Sequence, residues 1–128
     1  MSIILIVEDH PTNRKLLRDV LKRAGHQVLE ASCADEGLPL VRERRPDLVV
    51  MDIQLPGTDG LEAARILKED QATCSIPVLA LTAHAMPGDE ERFIRGGCDA
   101  YLPKPLRYAE LLKLVEQLIG DEEVEHEQ

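Results

Sequence analysis

Aromatic residues are nearly missing from this 128-residue chain, which has two Tyr, one Phe and no Trp. Rings to stack on a flavin are therefore lacking, and no phosphate-cradling loop accompanies them, which argues against a flavin carrier. Positive charge is also in short supply. Asp and Glu number 24 against 15 Lys and Arg, a net charge of −9 that repels nucleic acid and anionic lipid. Cations and basic protein patches are left as partners, and neither nucleic acid nor membrane is expected. The cysteines Cys33, Cys74 and Cys98 are an odd number at wide spacings without a C-x-x-C pair, so neither a disulfide framework nor a zinc site is indicated. They read as reduced core thiols of a cytoplasmic protein. Long apolar runs are missing too. Met1 to Val7 is apolar but has no basic flank and stops at Glu8-Asp9, so it reads as a first buried strand, not a signal peptide or membrane span.

The length suits one domain with a single core, and no repeat or Pro/Gly/Ser-rich linker points to another. What stands out is the stretch from Leu48 to Gly60. Leu48, Val49, Val50 and Met51 form an apolar run without alternation, the mark of a strand covered by helices on both faces, and the run ends on Asp52. Pro56-Gly57 and Asp59-Gly60 then break the chain, placing Asp52 at the carboxyl end of its strand, the edge where open α/β sheets bind ligands. Alone, Asp52 serves equally well as a loop or helix cap. Its neighbours have to decide.

In chain order, Leu16, Leu17, Val20, Leu21 and Ala24 recur at helical spacing up to Gly25. Gln27 to Ala31 reads as a second strand. Leu38, Leu40 and Val41 suggest a second helix, kinked or late in starting because Gly37 and Pro39 fall within it. After the strand ending at Asp52 come a helix from Leu61 to about Glu69 and a fourth strand, Val78 to Leu81, closing on Thr82. Pro87 is placed to open a fourth helix with Asp89, Glu90 and Glu91 in its first turn, and Gly96-Gly97 to end it. Cys98 to Leu102 is the fifth strand. Leu111, Leu112, Val115, Leu118 and Ile119 mark a last helix up to Gly120, so residues 1–120 form the domain and 121–128 an acidic, disordered tail. Five strands alternating with five helices predict an α/β, flavodoxin-like, doubly wound parallel sheet in the order 2-1-3-4-5.

In that order Glu8, Asp9 and Asp52 share one crevice, joined by Thr82 and Lys104 from strands 4 and 5. Crowded carboxylates repel one another unless a proton or a cation neutralises them, and an oxygen-only set with room for water suits Mg²⁺. Asp52 can then act as a carboxylate nucleophile toward a phosphoryl group, with Lys104 and the Thr82 hydroxyl at its oxygens. Each residue has a plainer reading: Glu8 and Asp9 as helix caps, Thr82 as a strand-end hydroxyl, Lys104 as a surface lysine. Lys104 lies between Pro103 and Pro105, and a cis Lys104-Pro105 bond would fix its direction.

The set Glu8-Asp9, Asp52 within Met51 to Gly57, Thr82-Ala83 and Lys104-Pro105 resembles the receiver domain of two-component response regulators, the CheY-like family. It spans about residues 3 to 119. The segments Met51 to Pro56, Thr82 to Met86, Gly88 to Arg92 and Gly96 to Cys98 look closest to single-domain regulators of the DivK type. The resemblance implies a switch rather than a conventional enzyme, in which Asp52 takes a phosphoryl group from a phosphohistidine on a sensor histidine kinase or phosphotransfer protein. The domain itself catalyses that phosphorylation and its reversal. Mg²⁺ would be held by Asp9, Asp52 and the backbone carbonyl of Gln54, with Glu8 acting largely through water. Thr82 and Lys104 would contact the phosphoryl oxygens, and Tyr101 would swing inward, reshaping the face of helix 4, strand 5 and helix 5 for a downstream protein. A static, half-buried Tyr101 fits the sequence equally. Gln54 and His84 stand where the family tunes phosphoryl lifetime, and a monomer or weak homodimer is expected. Alternatives within the fold are a phosphorelay intermediate passing its phosphoryl group to a histidine and an unphosphorylated pseudo-receiver. A haloacid-dehalogenase-like phosphatase is disfavoured because Gln54 replaces its second Asp.

Overall fold

A computed structural model of the chain describes residues 2–53, 60–82, 89–104 and 106–126. Its elements run β1 (Ile3–Val7), α1 (Pro11–Arg23), β2 (Gln27–Ala31), α2 (Ala34–Arg44), β3 (Leu48–Asp52), α3 (Gly60–Glu69), β4 (Val78–Thr82), α4 (Asp89–Arg95), β5 (Ala100–Pro103) and α5 (Tyr108–His126). All neighbouring strands pair in parallel, in the order β2-β1-β3-β4-β5. The expected topology holds, with a crossover helix for every parallel connection.

The strands alternate between two cores. Leu5, Val7, Val49, Met51, Val78 and Ala80 pack with Ala34, Val41, Ala63, Ala64, Leu67 and Phe93, the side of α2, α3 and α4. Ile4, Ile6, Leu48, Val50, Leu79, Leu81 and Leu102 pack with Leu17, Leu21, Leu111 and Val115, the side of α1 and α5. Apolar demand on both faces explains why β3 and β4 are buried at every position and read as unbroken apolar runs. Gly37 is fitted to this packing, since a Cβ there would lie 3.0 Å from Val7 Cγ2.

Several boundaries differ from the sequence reading. Helix α2 starts at Ala34, not late, and carries Pro39 inside it. Its start is held by Glu36, whose Oε1 accepts from the backbone N–H and the hydroxyl of Ser32 at 2.7 and 2.6 Å, while Val41 buries against the sheet. These contacts outweigh the proline cost. Leu16, expected on the inner face of α1, is 45% exposed because Leu17 and Leu21 take that face. Strand β5 begins at Ala100 because Cys98 still belongs to the end of α4: its N–H donates to the Phe93 carbonyl, one residue after Gly97 at φ 111°. At the other end of the chain α5 passes Gly120 and reaches His126. A single helical glycine costs only about 1 kcal/mol relative to Ala, and Glu is a good helix former. Pro87, expected to open the fourth helix, lies outside the described residues.

Not every cysteine is a core residue. Cys98 is buried, Cys33 half-buried before α2, and Cys74 exposed in the turn after α3. Burial, with the Asp99 charge, pushes the Cys98 thiol up to about 11 despite Lys68 nearby. With iodoacetamide at about pH 8, Cys74 is expected to be alkylated promptly and Cys98 only on unfolding in urea. Peptide mass spectrometry checks this; equal rates at the two sites would contradict the assigned burial.

Candidate functional site

The two-residue alternation that builds the cores also builds the site. Glu8 follows Ile4 and Ile6 one step beyond β1, Asp52 follows Leu48 and Val50, and Lys104 follows Leu102 just past β5. Because Val7 is opposite Met51 in the register, Glu8 and Asp52 come side by side at the carboxyl edge. Glu8 is 1% and Asp52 3% exposed, and Asp9 is exposed at the mouth. One carboxylate oxygen from each of Glu8, Asp9 and Asp52 lies within 4.8 Å of the others.

Lys104 closes the cluster from the β5 side. Its Nζ donates to Asp52 Oδ2 at 2.7 Å and reaches Glu8 Oε1 at 3.4 Å. The Lys104 N–H donates to the Thr82 carbonyl at 2.7 Å, which ties the lysine to the end of β4, where Thr82 is 1% exposed. Burial raises the Glu8 pKa, with the Asp52 charge adding to it, while the His10 N–H and Lys104 act against the rise. Burial works against the Lys104 ammonium, but hydrogen bonds and charge from Asp52 and Glu8 prevail and raise its pKa. The site thus holds an excess of negative charge that one ammonium only partly offsets, which is the condition for drawing in a cation. Oxygen donors alone, two of them on buried residues, fit a hard divalent ion such as Mg²⁺ better than a softer metal.

The five residues read from the strand ends, Glu8, Asp9, Asp52, Thr82 and Lys104, are thus assembled at one edge. Tyr101 is half-buried on β5, its ring centroid 5.6 Å from that of Phe93 at an interplanar angle of 56°. Gln54, Ala83, His84 and Pro105, and with them the carbonyl ligand, the lifetime-tuning pair and the cis bond, lie outside the described residues. An open groove of about 320 Å³ begins at Glu8 and Lys104 and runs between Asn13 and Leu17 on one side and Leu106 and Tyr108 on the other.

Two residues escaped the sequence reading. Gly60, which the sequence places in a turn, is the first residue of α3 and packs on the backbone of Asp52 and Ile53. Arg14 donates from Nη1 to the Glu8 carbonyl at 2.9 Å, and nothing in a basic residue on a surface helix announces that.

Comparison with known proteins points the same way. The response regulator receiver domain model matches residues 4–116. The polar-differentiation response regulators DivK of Brucella anthropi and Brucella ovis are 45% and 44% identical over 118 residues, covering 92% of this chain and 96% of theirs. A response regulator structure from Chloroflexus aurantiacus superposes with a TM-score of 0.88 at 30% identity, covering 93% of this chain and 98% of that one. The receiver domain of a sensor histidine kinase from Pseudomonas aeruginosa, solved with a magnesium ion coordinated in its active-site cleft, does so at 0.85 and 33% identity, with the same coverage. With a family match across nearly the whole fold and relatives of almost the same length, this chain belongs to the response regulator receiver domains of two-component signalling.

Proposed function

We propose that Asp52 is the phosphoacceptor of a DivK-like switch and that Asp9, Asp52 and the Gln54 carbonyl hold Mg²⁺, with Glu8 acting largely through water. The observation that carries this is the Lys104 ammonium at 2.7 Å from Asp52 inside a carboxylate cluster at the sheet edge. A carboxylate oxygen of Asp52 bonds to phosphorus as the bond from phosphorus to the donor's histidine nitrogen breaks. Lys104 and Thr82 then meet the new phosphoryl oxygens. Bound Mg²⁺ supplies charge neutralisation at those oxygens. The donor is a sensor histidine kinase or a histidine phosphotransfer protein, and the groove beside Lys104 gives it access. Readout is assigned to the α4, β5 and α5 face, supported by Ile94 of α4, which is 47% exposed, with Tyr101 as the switching ring. Among the described residues no helix is long and apolar enough to cross a membrane.

Intact-protein mass after incubation with acetyl phosphate tests the reading. The expected outcome is an adduct of one phosphoryl group in Mg²⁺ and none in EDTA. Absence of an adduct with both acetyl phosphate and a phosphohistidine donor would leave a pseudo-receiver instead.

A further inference from the structure

The exposed Asp9 carboxylate is the weak point of the cluster. Among the described residues no hydrogen bond or ion pair holds it, whereas Asp52 has Lys104 and Glu8 has both Lys104 and the His10 N–H, at 3.1 Å from Oε2. The direction of Asp9 therefore depends on its backbone, and above all on the peptide that joins it to Glu8. The Glu8 N–H donates to the Ala31 carbonyl at 3.0 Å, and the Glu8 carbonyl, the oxygen of the peptide leading into Asp9, accepts from Arg14 Nη1 at 2.9 Å.

Arg14 is itself held. Its Nε lies 3.4 Å from Glu30 Oε1 on β2, and the other oxygen of Glu30 takes Arg18 Nη1 at 3.1 Å. The Arg14 N–H donates to the His10 carbonyl at 2.9 Å in the first turn of α1. One guanidinium thus spans the sheet edge and the loop, using separate nitrogens for each, a fork that a point-charge ammonium cannot reproduce. Rotating the Glu8-Asp9 peptide would swing the Asp9 Cβ away from Glu8 and Asp52, and it would break the Arg14 hydrogen bond to the Glu8 carbonyl.

We infer that Arg14, oriented by Glu30, is a positioning residue for the cation site, prearranging Asp9 through the Glu8 carbonyl without touching the ion. The inference rests on the Mg²⁺ reading above and goes beyond it in assigning a part of the site that no carboxylate supplies.

The sign of the effect makes it testable. Arg14 is a cation near a cation site, so if its charge were what mattered, Arg14→Met would tighten Mg²⁺ binding. If it only stabilised the fold, the variant would melt lower with the same affinity. Positioning predicts weaker binding, by about tenfold, the low end of what outer-sphere partners contribute to metal affinity. The measurement is a Mg²⁺ titration of the full chain at fixed ionic strength, followed by the amide shifts of residues 8–10 and 52–53, with a thermal melt of each protein. Unchanged or tighter binding in Arg14→Met overturns the inference. Should that variant fail to fold, Arg14→Gln, too short to span both partners, is read by the same criterion. Wild-type protein that binds Mg²⁺ but accepts no phosphoryl group would sink the switch reading and leave the role of Arg14 intact. Wild-type protein that binds no Mg²⁺ would overturn the role of Arg14 directly.

Discussion

Asp52→Asn is expected to take up no phosphoryl group from acetyl phosphate or a phosphohistidine donor, a loss on the order of 10³-fold or more, because a carboxamide is not a nucleophile. The fold should survive. Asn keeps the shape of Asp, and Glu8 is relieved of one of the influences that raise its pKa, the smaller one after burial. Against this stands the lost charge at 2.7 Å from Lys104, which retains its contact to Glu8 at 3.4 Å. These effects oppose each other, so the melting temperature without Mg²⁺ is expected within about 4 °C of wild type, the shift that ~1 kcal/mol produces in a domain of this size. Intact mass and a thermal melt on the same sample check both. Full labelling of the variant would move the phosphoacceptor elsewhere, and collapse of the fold would show that the Lys104 pair matters more than the repulsion.

Gly60→Ala should damage stability and the site together. A Cβ at this position would stand 2.8 Å from Ile53 Cα and 3.1 Å from the Asp52 carbonyl carbon. Both are backbone atoms, so no side chain can rotate away. The Gly60 N–H also donates to the Ile53 carbonyl at 3.0 Å, so α3 cannot retreat without losing that bond. Overpacking of this kind costs about 2–3 kcal/mol, a large part of the margin of a small domain. Urea unfolding would read the loss, and phosphoryl uptake at a concentration where the variant is still folded would read the displacement of Asp52. A variant as stable and as reactive as wild type would mean that α3 does not sit against the end of β3.

Much of this is legible in the sequence. Apolar runs that end on Asp52 and Thr82, and an acidic pair directly after the first run, define strand ends by composition alone. The parallel order follows from alternating strands and helices. The structure departs from the local signals where a tertiary contact overrides them. Pro39 argues against an early helix, but the contacts of Glu36 with Ser32 and the burial of Val41 hold its start at Ala34. Gly120 suggested a stop, yet one glycine is a small cost in a long helix. Leu16 and Leu17 look alike in sequence, and only docking of α1 decides which is covered. The strands conceal their alternation for a related reason: both faces are apolar, so a period of two leaves no trace in the residues.

The sequence by itself determined the fold class, the strand ends and the residue types that gather there, because burial on both faces and the break from apolar to charged residues are written locally. Only the tertiary structure decided that Glu8, Asp52 and Lys104 continue one face of the sheet, that Gly60 packs on the backbone beneath Asp52, and that Arg14 holds the peptide before Asp9. Those relations join residues 6, 8, 52 and 96 positions apart along the chain. Register and helix docking, which no local pattern encodes, bring them within bonding distance.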